Sequence, residues 1–103
     1  MRNMNDILRQ AQVMQHKLAK LQDEMATQSF EAASGGGMVK AEVSGKQELR
    51  KLSIDPQALE GGDVEMLQDL IVAAVNEAGR IARESMEREM GNLTGGIKIP
   101  GMF

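Results

Sequence analysis

The sequence predicts an α+β domain in the order α-β-β-β-α, a three-stranded antiparallel sheet covered by a long C-terminal helix, with an N-terminal helix free to project. Three observations predict it. Met4, Ile7, Ala11, Met14, Leu18, Leu21 and Met25 recur at spacings of 3, 4, 3, 4, 3 and 4, a heptad stripe without proline or glycine. Between Ser29 and Ile54 the apolar residues alternate with polar ones, the period of a strand. From Val64 onward apolar side chains return at helical spacing over more than six turns.

Each element has a local cause. Asn3 or Asn5 can cap the first helix and Asp6 suits its N-terminal dipole, so a helix is predicted from Asn5 to about Thr27. Its apolar stripe, Ile7, Met14, Leu18, Leu21 and Met25 with Met4 and Ala11, is narrow enough for a coiled-coil contact with one partner helix. That partner is either the second helix of the same chain or the first helix of another copy. Gly35-Gly36-Gly37 is a turn, since three glycines are costly inside an element. Val39, Ala41 and Val43 then share one strand face, and Gly45-Lys46 reads as a tight type II′ hairpin. Leu52 and Ile54 continue the apolar face on the third strand, while simple alternation puts Leu49 on the opposite face with Lys51.

Asp55-Pro56 closes the sheet with a capped helical turn, and Glu60-Gly61-Gly62 breaks that turn. Asp63 caps a second helix, expected from about Val64 to Met90, with Leu67, Leu70, Ile71, Ala74, Ala78, Ile81, Ala82 and Met86 inward. The run Leu70 to Val75 is apolar nearly all round and is expected to be buried on most sides. Arg80–Glu84, Arg83–Glu87 and Glu84–Arg88 are spaced to pair along the helix, and Gly91 is placed to stop it. Residues 1–91 are thus expected to form a single domain and 92–103 a loosely ordered, glycine-rich tail.

Composition excludes several classes of function. A chain of 103 residues with two aromatics relies on methionine and alanine for its core. The absence of cysteine removes disulfides, thiolate metal sites and thiol nucleophiles. His16 is the only histidine and falls outside the apolar stripe, where it reads as a solvated polar residue rather than a catalytic base. Gly35-Gly36-Gly37 precedes a strand and lacks the Gly-Lys-Ser/Thr of a phosphate loop. No catalytic residue, metal site, cofactor or small-molecule substrate is therefore expected. No signal peptide or membrane span is expected either, because the first six residues hold no apolar run and the longest apolar run is Leu70 to Val75.

The net charge of −3 is unevenly spread. Arg2, Arg9, Lys17 and Lys20 against Asp6 give residues 1–22 a local charge of +3, and the rest of the chain carries −6. These cations lie off the heptad stripe and form either a solvated helix face or one that follows the phosphates of a duplex. No base-reading motif is present, so any DNA contact would be made chiefly to the backbone.

The chain resembles the YbaB/EbfC family of bacterial nucleoid-associated proteins. The resemblance rests on Met4-Asn5-Asp6-Ile7-Leu8-Arg9-Gln10-Ala11, Gly37-Met38-Val39-Lys40, Val43-Ser44-Gly45-Lys46 and Leu52-Ser53-Ile54-Asp55-Pro56. It continues through Leu67 to Ala78 and the tail Leu93-Thr94-Gly95-Gly96-Ile97-Lys98-Ile99-Pro100-Gly101, and so spans essentially the whole chain. It implies a tweezers-like homodimer in the cytoplasm, associated with the nucleoid, that binds double-stranded DNA and affects nucleoid organisation and gene expression. Carried onto this sequence, it implies DNA contact through Arg2, Arg9, Lys17 and Lys20, and through Arg80, Arg83 and Arg88 on the second helix. Recombination or replication proteins are the partners implied by the family's genomic setting. An adaptor that serves such proteins without touching DNA is the alternative reading.

Overall fold

The computed structural model describes residues 3–93 and is elongated, 71 × 22 × 16 Å. The order is helix α1 (Met4–Thr27), strands β1 (Ser29–Ser34), β2 (Val39–Ser44) and β3 (Leu49–Ile54), and helix α2 (Val64–Leu93). Short 3₁₀ turns at Gly35–Gly37 and Pro56–Leu59 link β1 to β2 and β3 to α2. The strands form an antiparallel meander, β1-β2-β3.

The caps follow the sequence. The Asn3 side chain accepts from the Asp6 amide at 2.9 Å, Asp55 from Gln57 at 2.9 Å and Asp63 from Met66 at 3.0 Å. Gly35, Gly36 and Gly37 all have positive φ, which explains a glycine run at this turn.

The core lies between α2 and two of the three strands. Val39, Ala41 and Val43 of β2 meet Ala74, Ala78 and Ala82 of α2, all buried, with Phe30, Ala32, Leu67, Leu70, Ile71 and Val75 around them. The alanine row lets the helix sit close to the sheet. Ser34 fixes the edge of this contact by donating its hydroxyl to the Leu70 carbonyl at 2.6 Å. None of the apolar side chains of β3 joins this cluster: Leu49 is 50% and Leu52 38% exposed.

Four details differ from the sequence reading. The β2–β3 connection spans Gly45 to Glu48, and its positive φ falls on Gln47 (64°), not Gly45, so it is not a type II′ turn. Ser44 stabilises this wider loop, its hydroxyl accepting from the Lys46 and Glu48 amides at 3.2 Å each. A bulge between Glu42 and Val43 pairs Val43 with Leu49 and leaves Arg50 as the extra residue. Leu49 therefore joins the Leu52 and Ile54 side of the sheet instead of the Lys51 side. In α2, Val72 is exposed at 58% and Ala73 is exposed as well, because only one face of the helix meets the sheet. Finally, α2 runs through Gly91 to Leu93. Leu93 packs on the cluster formed by Leu21, Met25 and Met90, and this burial offsets the roughly 1 kcal/mol that a glycine costs a helix.

Candidate nucleic-acid interface

The heptad stripe of α1 divides in two. Its inner end is buried within the chain: Met25 is 1% and Leu21 8% exposed, packed with Met90 and flanked by Leu18, Phe30, Met86 and Leu93. Its outer end is bare, with Ile7 51% and Met4 68% exposed. The end of α2 at Leu93 lies beside Lys17, Lys20 and Leu21, so the turns from Met4 to His16 extend beyond it as an arm about 20 Å long.

The arm is anchored at its root by the sheet. The Gly45 amide donates to the Met25 carbonyl at 2.9 Å, and the Arg50 guanidinium donates to the Ala26 carbonyl. Both acceptors are last-turn carbonyls, and the Met25 oxygen also accepts from the Gln28 cap amide at 3.1 Å. A Cβ on Gly45 would stand 2.2 Å from the Met25 oxygen, so close approach rather than turn geometry requires glycine there. Sequence reasoning misses both anchors. Gly45 is visible only as a turn signal, and Arg50 gains its reach through a bulge that alternation does not reveal.

Arg9, Lys17 and Lys20 are all exposed on α1, and none has an ion-pair partner among the described residues. At about 100° per residue, Arg9, His16 and Lys20 fall on one stripe opposite the apolar seam, with Lys17 on its flank. Arg9 and Lys20 are separated by about 16 Å along the axis. Arg2 lies outside the described residues.

The second predicted set is placed differently. Arg80 is held between two carboxylates, donating to Glu77 through Nε at 3.0 Å and through a terminal nitrogen, and to Glu84 at 2.6 Å. The hydrogen bond from Arg80 holds the Glu77 carboxyl below its ordinary range, and the same contacts raise Arg80. Arg83 and Arg88 are exposed, and the Arg83–Glu87 and Glu84–Arg88 pairs do not form. Of the α1 set, Arg9 is exposed and unpaired on the outer turns, while Lys17 and Lys20 are exposed and unpaired but share a cleft with Glu24 and with Glu89 of α2.

Comparison with known proteins settles the family. The YbaB/EbfC DNA-binding family pattern matches residues 1–97. The chain belongs to the YbaB/EbfC DNA-binding family. It is 50% identical to a nucleoid-associated protein of Desulforamulus reducens, over 98% of this chain and 96% of that one. It is 46% identical to a nucleoid-associated protein of Thermoanaerobacter pseudethanolicus, over 98% and 91%. An uncharacterized protein of Helicobacter pylori, known from its crystal structure, superposes with a TM-score of 0.84 at 25% identity, covering 92% of this chain and all of that one. YbaB/EbfC membership denotes DNA binding rather than catalysis. No helix among the described residues of this YbaB/EbfC chain is long and apolar enough to cross a membrane.

Proposed function

We propose that this protein is a nucleoid-associated, cytoplasmic homodimer that binds duplex DNA through phosphate contacts made by the α1 arms, and so influences nucleoid organisation and gene expression. The observation that carries the reading is the row of exposed, unpaired cations on α1, with Arg9 on the projecting turns and Lys17 and Lys20 at their base beside the end of α2. Arg2 extends the set toward the N-terminus. Arg83 is a secondary contact, and Arg80 contributes less because Glu77 and Glu84 already neutralise it. Such contacts carry no sequence information, which suits a protein that coats DNA rather than reading a site.

Dimerisation is supported by β3. Its Leu49 and Leu52 are exposed on the face that α2 covers over β1 and β2, and its outer edge is unpaired among the described residues. Exposed apolar strands at an edge recruit a second chain. Two copies joined there would present two basic arms to one duplex.

The test is fluorescence anisotropy with a labelled duplex across a salt series, comparing the wild type with the Arg9→Gln/Lys17→Gln/Lys20→Gln variant. Affinity falling steeply with salt in the wild type and weakly in the variant supports the proposal. Equal salt slopes in the two proteins would overturn the arm as the contact. No duplex binding at low salt would favour the adaptor reading, in which recombination or replication proteins are the partners.

A further inference from the structure

We infer that α1 carries a docking groove for the chain's own C-terminal segment, residues 94–103. Two clefts lie end to end along the helix. One, of about 310 Å³, is lined by Lys17, Lys20, Leu21 and Glu24 of α1 and by Glu89 and Leu93 of α2. The other, of about 200 Å³, lies farther out between Arg9 and Lys17, with Val13 and Met14 as its apolar floor. Lys17 borders both, so they form one trough that begins where α2 ends.

The occupant follows from where the chain goes next. Leu93 forms part of the inner wall, and the remaining ten residues start from that point. They contain Ile97, Ile99, Met102 and Phe103 and a single charge, Lys98. From Leu93, four extended residues reach about 13 Å, which carries Ile97 to the outer cleft, since Lys17 and Arg9 are about 12 Å apart along the helix. Gly95 and Gly96 supply the backbone freedom to leave the helix axis and lie along the trough. Val13 is 47% exposed at the site where Ile97 and Ile99 would land. The strap thus runs on the flank of α1 between the apolar seam and the basic stripe, starting where α2 ends, with Met14 the seam residue it covers. This inference is independent of DNA binding, because it depends on apolar contacts alone.

The chain has no cysteine, so introduced pairs report cleanly. In full-length protein, Lys98→Cys is combined with Met14→Cys, which faces the groove, or with Gln12→Cys, which faces away. Both arm positions lie outside the buried core, and circular dichroism verifies that each variant is folded. With oxidised glutathione as oxidant, the intramolecular disulfide is expected to form at least about tenfold faster in the Met14→Cys pair. Adding Ile97→Ser and Ile99→Ser should bring that rate down to the Gln12→Cys value. Equal rates for the two pairs, no disulfide in either, or chiefly intermolecular disulfides in the Met14→Cys pair would each overturn the inference, the last by giving the groove to a second copy.

Discussion

The two halves of α1 share one sequence pattern and have opposite fates. Between Leu18 and Met25 the heptad residues are buried or half-buried against α2, whereas Met4 and Ile7, in the same register, face solvent. The difference lies in the partner and not in the helix. The register states which face can pack, and the length of α2 decides how far it does so. A stripe of apolar residues is an offer of contact, filled here over only part of its length.

The largest expected effect contrasts the two halves directly. Met25→Ala removes a fully buried side chain and should destabilise the protein by about 2–5 kcal/mol, while Ile7→Ala should stay within about 0.5 kcal/mol, both measured by denaturant unfolding. A comparable loss at Ile7 would mean that the outer half is covered as thoroughly as the inner one. Gly45→Ala comes next. Its Cβ collides with the Met25 carbonyl, so a loss of about 1–3 kcal/mol and a lowered melting temperature are expected.

Two smaller effects separate bare cations from paired ones. Replacing Lys20 with glutamine should flatten the salt dependence of DNA binding by about one unit of log–log slope per protomer while leaving unfolding unchanged. Glu77→Gln with Glu84→Gln releases Arg80 and should strengthen duplex binding by a fewfold at low salt, read by anisotropy. The smallest effect is a titration. Arg80 holds the Glu77 carboxyl below its ordinary value, so the interaction is fully present above the ordinary carboxylate range and is lost as pH falls through the depressed value. Side-chain carboxyl NMR should show Glu77 protonating below the ordinary carboxylate range, and Arg80→Gln should remove that shift.

Local chemistry made most of the fold legible. The Asn3, Asp55 and Asp63 caps, the triple-glycine turn, the alternating β2 and the inward alanines of α2 each depend on residues within a few positions of one another. What escaped was set over distance. A bulge moved Leu49 to the other face, and no local signal marks a bulge beside Glu42 and Val43. The helix passed Gly91 because Leu93 finds Leu21 and Met25, which lie nearly seventy positions earlier in the chain. The exposure of Val72 reflects how many layers the single chain stacks, which hydropathy alone does not encode. For the interface, the exposure of Arg9, Lys17 and Lys20 follows from their position off the seam. The capture of Arg80 involves a second partner, Glu77 one turn earlier, in addition to the Glu84 read from the sequence.

The clamp at the root of α1 makes the helix a cantilever. Met25 and Ala26 are tied to Gly45 and Arg50, and Leu21 and Met25 are packed on α2, so the root is fixed and only the far tip is unsupported. The free part, Met4 to His16, is about 20 Å long, so a bend of about 10° where it leaves α2 shifts Met4 by roughly 3 Å. The direction in which the tip leaves the body is then governed by a handful of residues in a loop that does not touch it. Changes at Gly45, Gln47 or Arg50 would re-aim the tip while leaving every side chain on it as it was.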